Sequence, residues 1–301
     1  METINIIVVI IRRVSDKKYI FFDIDGTILP ANGVVPESTK KALKLAQQNG
    51  HEIFLNTGRC RPIVPQKLLD LNFDGLVCGT GTYAEYNGEV VFRNVFTESQ
   101  AKKVLDFSIK YDVPIIMSTN NECVATATDT AKYIVLFTDG EFDPSDFKSA
   151  KDLEKSPLLD SMRPYVIDED KKNYLKNFKE ISDFVYIESP FSVDEVNQIL
   201  GDDLNAERAS FKNPDDFSGE ITLSKFNKST GIKDILTKIG GDLKDSIAVG
   251  DGYNDIEMLK GAASSIAMGN SPDDVKDIAD YVTDDINSDG VYNALKHFKI
   301  I

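Results

Sequence analysis

Short apolar runs alternate with segments of helical spacing in the first and last parts of the chain. Residues 19–22 are all apolar or aromatic, Pro36 to Gln48 carries apolar residues on one helical face, and residues 52–55 form a second apolar run. The same alternation returns near residue 225 and continues to the C-terminus. Buried strands that alternate with helices predict a parallel sheet with right-handed crossovers, which is an α/β fold.

Between these two parts the pattern changes to separate helices and to strands that pair as hairpins. Tyr83 to Tyr86 and Glu89 to Phe92 flank Asn87-Gly88, which is typical of a two-residue hairpin turn. This hairpin excludes dinucleotide binding at residues 79–84, because the G-x-G-x-x-A pattern there requires a following helix. The middle of the chain is therefore predicted to be an α+β module inserted into a parallel one.

Weaker local sequence patterns predict the remaining helices and strands and the limits of the domains. The remaining predicted elements are a strand over Tyr133 to Thr138, a loop or solvated helix over Asp139 to Ser156, a helix over Lys172 to Ile181, and a strand near Ala209. The predicted domains are an N-terminal extension (residues 1–18), a discontinuous core (19–83 and 225–301) and a cap (84–224).

Composition and net charge limit the kinds of molecule that the protein is expected to bind. The 301 residues are 42% hydrophobic and 28% charged, which suits a globular chain with a sizeable core. A formal net charge of −15 argues against nucleic acid or an anionic membrane as a partner. Three widely spaced cysteines favour the reducing cytoplasm and no disulfide framework. The apolar run Ile4 to Ile11 is too short to span a bilayer, and we expect an extra strand or a loosely attached extension rather than an interfacial anchor.

Polar clusters follow three of the predicted parallel strands. They comprise Asp23 and Asp25, then Thr57 and Gly58, and finally Asp251, Asn254 and Asp255. In an open α/β sheet, the carboxyl ends of the strands form the edge where ligands bind. We therefore expect the three clusters to form one site.

The pair of aspartates after the first strand predicts a cation. Asp23 and Asp25 are two residues apart on an extended chain, so their side chains point to one place, where both stay ionised only beside a positive charge. Mg²⁺ suits such a site, because no histidine or cysteine adjoins the carboxylates. Lys228, at the start of a predicted helix, is expected to reach the same edge, with Lys225 as its rival.

Together these clusters resemble the four motifs of the haloacid dehalogenase superfamily of phosphohydrolases. The motifs are Asp-x-Asp-Gly-Thr at 23–27, Thr-Gly-Arg at 57–59, the lysine Lys228, and Gly-Asp-Gly-x-Asn-Asp at 250–255. The finer similarity is to the Cof-like subgroup with a type IIB cap, and it is carried by the segments at 227–232, 250–259, 267–270 and 289–291. The resemblance implies a Rossmann-like parallel-sheet core with an inserted α+β cap.

Two positions depart from the subgroup pattern. Ser229 stands where the subgroup usually has glycine after the lysine, and Thr80-Gly81-Thr82 stands where it commonly has Asn-Gly-Ala. Neither departure touches an expected catalytic role, but both bear on the hinge of the cap and hence on the choice of substrate.

The resemblance also implies a role for each site residue. Asp23 is expected to be the nucleophile that forms an aspartyl phosphate, and Asp25 the general acid and then the general base. Mg²⁺ would be held by Asp23, by the backbone carbonyl of Asp25 and by Asp251. Asp255 would orient Lys228 or a metal-bound water. The phosphate oxygens would be bound by the amides of Ile24 and Gly58 and by the side chains of Thr57, Lys228 and Asn254.

Three functions remain open at this point. The first is a cytoplasmic, Mg²⁺-dependent phosphatase of small phosphorylated metabolites, with sugar phosphates as the expected substrates. The second is a type IIB phosphomutase, and the third is a phosphoaspartate receiver. The receiver fits poorly, because it needs no cap and no acid/base at Asp25. Arg59 is expected either to contact substrate or, by a slight preference, to form a structural ion pair.

Overall fold

A computed structural model of the chain describes residues 17–137, 165–168, 170–208 and 217–301. The predicted extension up to residue 16 and the polar segment Asp139 to Ser156 lie outside these ranges. The chain divides into two compact units. The core unit comprises Met1–Gly58, Lys67–Phe92 and Asn227–Ile301, and the inserted unit comprises Arg59–Gln66 and Arg93–Phe226.

The described residues contain fourteen strands and ten α-helices. The strands are β1 (Tyr19–Phe22), β2 (Glu52–Asn56), β3 (Gly75–Cys78), β4 (Tyr83–Tyr86), β5 (Glu89–Arg93), β6 (Ile115–Thr119), β7 (Cys123–Ala125), β8 (Tyr165–Ile167), β9 (Ile181–Tyr186), β10 (Leu204–Arg208), β11 (Gly219–Leu223), β12 (Ser246–Gly250), β13 (Ser264–Ala267) and β14 (Tyr281–Val282). The helices are α1 (Glu37–Gln48), α2 (Gln66–Leu69), α3 (Glu98–Tyr111), α4 (Ala127–Phe137), α5 (Tyr174–Asn177), α6 (Val193–Leu200), α7 (Lys228–Ile239), α8 (Ile256–Gly261), α9 (Asp273–Lys276) and α10 (Gly290–His297).

The core unit is built on an eight-stranded sheet in the order β14-β13-β12-β1-β2-β3-β4-β5. The strands from β14 to β3 are parallel, which confirms the predicted α/β fold. β1 lies in the middle, and Phe22 at its end pairs with Leu55 on one side and with Val249 on the other. The carboxyl ends of β1, β2 and β12 therefore meet at one edge of the sheet.

The predicted hairpin is present as β4 and β5, and it extends the core sheet. β4 pairs antiparallel with β3, while Asn87 and Gly88 have positive φ angles of 50° and 80°, as a tight hairpin turn requires. The hairpin therefore falls in the core unit, whereas the predicted cap began at residue 84. The predicted domain limits otherwise stay a prediction.

Aromatic stacking and the apolar face of one helix fill the core on one side of this sheet. The ring of Phe54 stacks on Phe21, with centroids 4.7 Å apart, and lies nearly parallel to Tyr86 at 6.2 Å. From α7, Ile232 and Ile235 pack into the same cluster, three residues apart on one helical face. This packing places the start of α7, and hence Lys228, against the sheet.

The inserted unit has a six-stranded sheet in the order β10-β11-β9-β6-β7-β8. Its pairs are antiparallel apart from the parallel pair β7–β8, which confirms the predicted α+β module. Phe107 and Val196, from α3 and α6, pack in one cluster with Phe184 and Tyr186 of β9. This helix-on-sheet core belongs to the inserted unit alone.

Two elements predicted in the middle of the chain are wrong. The segment Tyr133 to Thr138 was predicted to be a strand, but as far as it is described it belongs to the helix α4. Thr126 caps the N-terminus of this helix, because its Oγ1 accepts a hydrogen bond from the amide of Asp129 at 3.0 Å. The β-branched and aromatic run suggested a strand, but Tyr133 and Ile134 are buried on one face of a helix.

The helix predicted over Lys172 to Ile181 is also wrong in its second half. α5 ends at Asn177, and Ile181 is already the first residue of β9. Glu180 has a positive φ of 55°, which turns the chain from the helix into the strand. The strand predicted near Ala209 appears as β10, which ends at Arg208, and Ala209 itself lies outside the described residues.

The cysteines are all free thiols, and two of them are in contact. The sulfur atoms of Cys60 and Cys123 lie 3.6 Å apart in the inserted unit, and the hydrogen bond with Cys123, together with burial, raises the pKa of Cys60 well above its usual value. In the same unit, the guanidinium of Arg59 donates to the carbonyl of Ile63 at 3.2 Å. None of the helices in the described ranges is long and apolar enough to cross a bilayer.

A buried carboxyl group in β9 makes the stability depend on pH. Asp183 is 5% exposed, and its Oδ2 accepts a hydrogen bond from the hydroxyl of Ser182 at 3.0 Å. Burial raises the pKa of Asp183 from 3.8 to about 6, and hydrogen bonds from Ser118 and Ser182 only partly oppose it.

We predict that Asp183→Asn removes this pH dependence. Because the pKa is higher in the folded than in the unfolded protein, the contribution of Asp183 to stability is complete below about pH 4 and is lost as the pH rises through about 6. The free energy of unfolding of the wild type should therefore fall, relative to the variant, by about 3 kcal/mol as the pH rises from well below 4 to well above 6. Urea unfolding of both proteins at a series of pH values measures this difference, and two parallel curves would contradict it.

Candidate active site

The site begins where β1 ends, at the carboxyl edge of the core sheet. The amide of Asp23 still donates to the carbonyl of Val249 at 3.0 Å, so Asp23 continues the pairing of β1 with β12. The chain then turns, because the carbonyl of Ile24 accepts hydrogen bonds from three amides, those of residues 27–29. The carboxylate of Asp23 is thus held at the edge of the sheet and is only 5% exposed.

Lys228 reaches Asp23 from the start of α7. Its neighbour Asn227 caps the helix by accepting a hydrogen bond from the amide of Thr230 at 2.8 Å. The ammonium of Lys228 is completely buried and lies 2.6 Å from Oδ1 of Asp23 and 2.5 Å from Oδ1 of Asp255. Lys225, the rival in the sequence, is exposed.

The two carboxylates keep Lys228 charged. Burial alone would lower the pKa of Lys228, but the negative charges of Asp23 and Asp255 and their hydrogen bonds raise it above its usual value. A buried ammonium with only one carboxylate partner would have less compensation for its lost hydration. Lys228 is therefore a fixed positive charge beside Asp23.

Asp255 is placed to hold Lys228 rather than to react. Its Oδ1 accepts the hydrogen bond from Lys228, while its Oδ2 accepts hydrogen bonds from the amides of Asp251 and Gly252 at 2.9 and 3.0 Å. A Cβ at Gly250 would lie 2.7 Å from the carboxylate of Asp255, so only glycine leaves room for it. Both oxygens of Asp255 are therefore engaged by donors.

Asp251 is oriented by residues of the turn that follows β1, here called the acidic turn (residues 23–29). Its Oδ1 accepts a hydrogen bond from the hydroxyl of Thr27 at 2.9 Å. Two features require glycine at position 26. Its φ of +91° is one that other residues rarely adopt, and a Cβ there would collide with the carboxylate of Asp251. Burial and the charge of Asp255 raise the pKa of Asp251 to about 7, although the hydrogen bond from Thr27 opposes them.

The acidic groups suit a hard divalent cation. One carboxylate oxygen from each of Asp23, Asp251 and Asp255 lies within 4.8 Å of the other two. Burial and neighbouring negative charge raise the pKa of Asp23 well above its usual value in spite of Lys228, so the cluster carries more negative charge than one lysine balances. An all-oxygen set of this kind fits Mg²⁺. Asp23 and Asp251 fit the role of ligands better than Asp255, because both oxygens of Asp255 already have donors.

The other predicted site residues lie at the same edge of the core sheet. Thr57 and Gly58 follow β2, and Thr57 is 2% exposed, with its amide donating to the carbonyl of Val77 at 2.9 Å. Asn254 is half-buried in the turn after β12, and the side chain of Asp25 is exposed. The roles of these residues stay predictions, as do those of Asp23, Ile24, Lys228, Asp251 and Asp255.

Three contacts in the site were missed by sequence reasoning. Thr27 orients Asp251, and it belongs to the first motif but was given no role. The side-chain amide of Asn56 donates to the carbonyl of Lys228 at 3.0 Å, which links the end of β2 to the start of α7. Asn270 donates to Asp251, and its motif at 267–270 was the signal that could have identified it.

Comparisons with known proteins agree with this geometry. The family model of haloacid dehalogenase-like hydrolases matches residues 20–295. Among curated relatives, the putative phosphatase YkrA of Bacillus subtilis is 27% identical over 294 residues, which cover 95% of this chain and 99% of the relative. The 5-amino-6-(5-phospho-D-ribitylamino)uracil phosphatase YcsE of Bacillus subtilis is also 27% identical, over 292 residues that cover 95% and 98%.

A solved structure extends the similarity to the whole fold. It is that of the HAD subclass IIB sugar phosphatase BT4131, which is 28% identical, covers 95% of this chain and 100% of its own, and has a TM-score of 0.72. The parallel core and the inserted α+β unit are thus those of a subclass IIB protein.

We predict that Lys228→Met destabilises the protein by about 3–5 kcal/mol, because it leaves Asp23 and Asp255 buried without their cation. Lys225→Met is the matched control and should be nearly neutral, since Lys225 is exposed. Adding Asp255→Asn to Lys228→Met should recover part of the loss by removing one unpaired charge. Urea unfolding measures all three, and equal stabilities of the two lysine variants would contradict the prediction.

Proposed function

Because the chain belongs to the haloacid dehalogenase-like hydrolases and is a phosphoric monoester hydrolase of the Cof-like, subclass IIB kind, we propose that it hydrolyses small sugar phosphates with Mg²⁺. The proposed reaction passes through an aspartyl phosphate on Asp23. One observation supports it above all, namely the buried ammonium of Lys228 between Asp23 and Asp255, with Asp251 alongside. A fixed positive charge beside the nucleophile stabilises the negative charge that develops on a transferring phosphoryl group.

In the first half of the reaction, the carboxylate of Asp23 attacks phosphorus. The bond from phosphorus to the alcohol oxygen breaks, and Asp25 gives that oxygen a proton. Such protonation typically accelerates a reaction by about 10²–10⁴-fold. The exposed position of Asp25 suits a group that exchanges its proton with each turnover. Lys228 favours the ionised form of Asp23, against the opposing effect of burial, and offsets the charge that collects on the phosphoryl oxygens.

In the second half, Asp25 removes a proton from water, which attacks the phosphorus of the aspartyl phosphate. The bond from phosphorus to the Asp23 oxygen breaks, and inorganic phosphate leaves. Asp255 does not take part directly, because its oxygens are occupied by Lys228 and by two backbone amides. Its role is to keep the lysine in place. Thr57 and the amides of Ile24 and Gly58 are proposed to bind the phosphate, together with Asn254.

A divalent cation completes the proposed site. Asp23 and Asp251, with the backbone carbonyl of Asp25, would hold Mg²⁺, which neutralises charge between the carboxylates and the phosphoryl group when it is bound. The raised pKa values of Asp23 and Asp251 support this part of the proposal, since a bound cation would favour the ionised form of both.

The relatives favour a phosphate on a hydroxylated carbon chain as the substrate. BT4131 is described as a sugar phosphatase, and the name of YcsE gives it a substrate phosphorylated on a ribityl group. Sugar phosphates and open-chain polyol phosphates share this chemistry. A cytoplasmic location belongs to the proposal as well, because free thiols persist in a reducing compartment.

We predict Mg²⁺-dependent release of inorganic phosphate from p-nitrophenyl phosphate and from a panel of hexose, pentose and polyol phosphates. Turnover should be highest on a few members of the panel and should disappear with EDTA, because the carboxylates then lack the cation that balances them. Full activity in EDTA would contradict the role of the cation. A bisphosphate detected during turnover of a sugar phosphate would instead indicate a mutase.

Asp23→Asn is the matched control for this assay. It keeps the size of the side chain but removes the nucleophile, so turnover should be lost while the far-ultraviolet circular dichroism stays that of the wild type. Appreciable phosphatase activity in this variant would show that Asp23 is not the nucleophile.

A further inference from the structure

Two sequence motifs have no part in the reaction described above, and the first of them contacts the acidic turn through Asn270. They are the segments 267–270 and 289–291. The side-chain amide of Asn270 donates to the carbonyl of Gly26 at 2.9 Å and to Oδ2 of Asp251 at 3.3 Å. The side-chain carbonyl of Asn270 accepts a hydrogen bond from the amide of Ile286 at 3.1 Å. A single side chain thus joins three segments that are far apart in sequence.

The segment around Ile286 is itself held in a closed turn. Its two ends are joined by a hydrogen bond from the hydroxyl of Thr283 to the carbonyl of Gly290 at 2.8 Å. Within the turn, the amides of Ser288 and Gly290 donate to the carbonyl of Asp285 at 2.8 and 3.2 Å. The amide of Ile286 therefore has a fixed position, and it fixes the orientation of Asn270, whose amide group cannot flip without losing all three hydrogen bonds.

The two donors on Asp251 determine the rotation of its carboxylate. Thr27 donates to Oδ1 and Asn270 to Oδ2, so each oxygen has a neutral donor on one side. Asn270 also holds the carbonyl of Gly26, which belongs to the turn that carries Asp23. Asp23 and Asp251 are the side chains that fit the cation best, and Asn270 connects the loops that carry them.

We propose that Asn270 is a positioning residue for the divalent cation, which orients Asp251 and holds the acidic turn at the correct distance from it. Asparagine suits this position because it donates hydrogen bonds without adding charge, whereas an aspartate would repel the carboxylate. The inference rests on the proposed function for the identity of the cation as Mg²⁺. The hydrogen bonds themselves do not depend on that identity.

The test is calorimetric titration of the protein with Mg²⁺ in the absence of substrate. Loss of a residue that orients a metal ligand typically weakens metal binding by about 10–100-fold, and we expect this for Asn270→Ala. The Mg²⁺ concentration for half-maximal phosphatase activity should rise by the same factor, and excess Mg²⁺ should restore the activity. Asn287→Ala is the matched control, because Asn287 is an exposed asparagine on the turn around Ile286. This variant should bind Mg²⁺ as the wild type does.

A purely structural role for Asn270 predicts a different result. In that case Asn270→Ala would unfold at a lower temperature but would bind Mg²⁺ with wild-type affinity, which would overturn the proposal. Asp251→Ala separates this failure from a failure of the proposed function. If Asp251→Ala loses Mg²⁺ binding while Asn270→Ala keeps it, only the positioning role is wrong. If Asp251→Ala binds Mg²⁺ normally, the proposed cation site is wrong.

Discussion

The ion pairs of Lys228 are the interaction on which the rest of the site depends. Its buried ammonium lies between Asp23 and Asp255, residues separated from it by 205 and 27 positions in the chain. Burying charges in this way costs several kcal/mol per ion unless each finds a partner, so the three groups stabilise one another. The contact therefore joins the two halves of the core unit that the inserted unit separates in sequence.

Charge balance explains why the site is arranged around this lysine. The chain has a formal net charge of −15, so a phosphate ester is repelled at long range and must find positive charge locally. Lys228 provides one such charge at a fixed position. Burial and mutual repulsion nevertheless keep the pKa values of Asp23 and Asp251 high. A divalent cation bound between the two carboxylates would stabilise their ionised forms. The donors on Asp251 and Asp255 are mainly neutral groups that add no further charge.

Much of this arrangement was predictable from local patterns, and the rest depended on tertiary contacts. The apolar run before Asp23 predicted a buried strand, and the order of elements predicted that its end would meet the other clusters. The bulky run Tyr133 to Leu136 suits either a strand or a helix, and only packing in the inserted unit decides between them. Thr27 and Asn270 both lie in motifs visible in the sequence, but their hydrogen bonds to Asp251 were not predictable, because these bonds arise where separate loops meet.

Trapping of the covalent intermediate tests the central claim, that Asp23 accepts the phosphoryl group. In an Asp25→Asn variant, p-nitrophenyl phosphate can still phosphorylate the enzyme, because p-nitrophenolate leaves without a proton, but no base remains to activate water. Mass spectrometry after mixing this variant with p-nitrophenyl phosphate and Mg²⁺ should therefore find one phosphoryl group on Asp23, and none when Asp23→Asn is added. A phosphoryl group on Asp251, or none on Asp23 while the wild type turns over, would contradict the account.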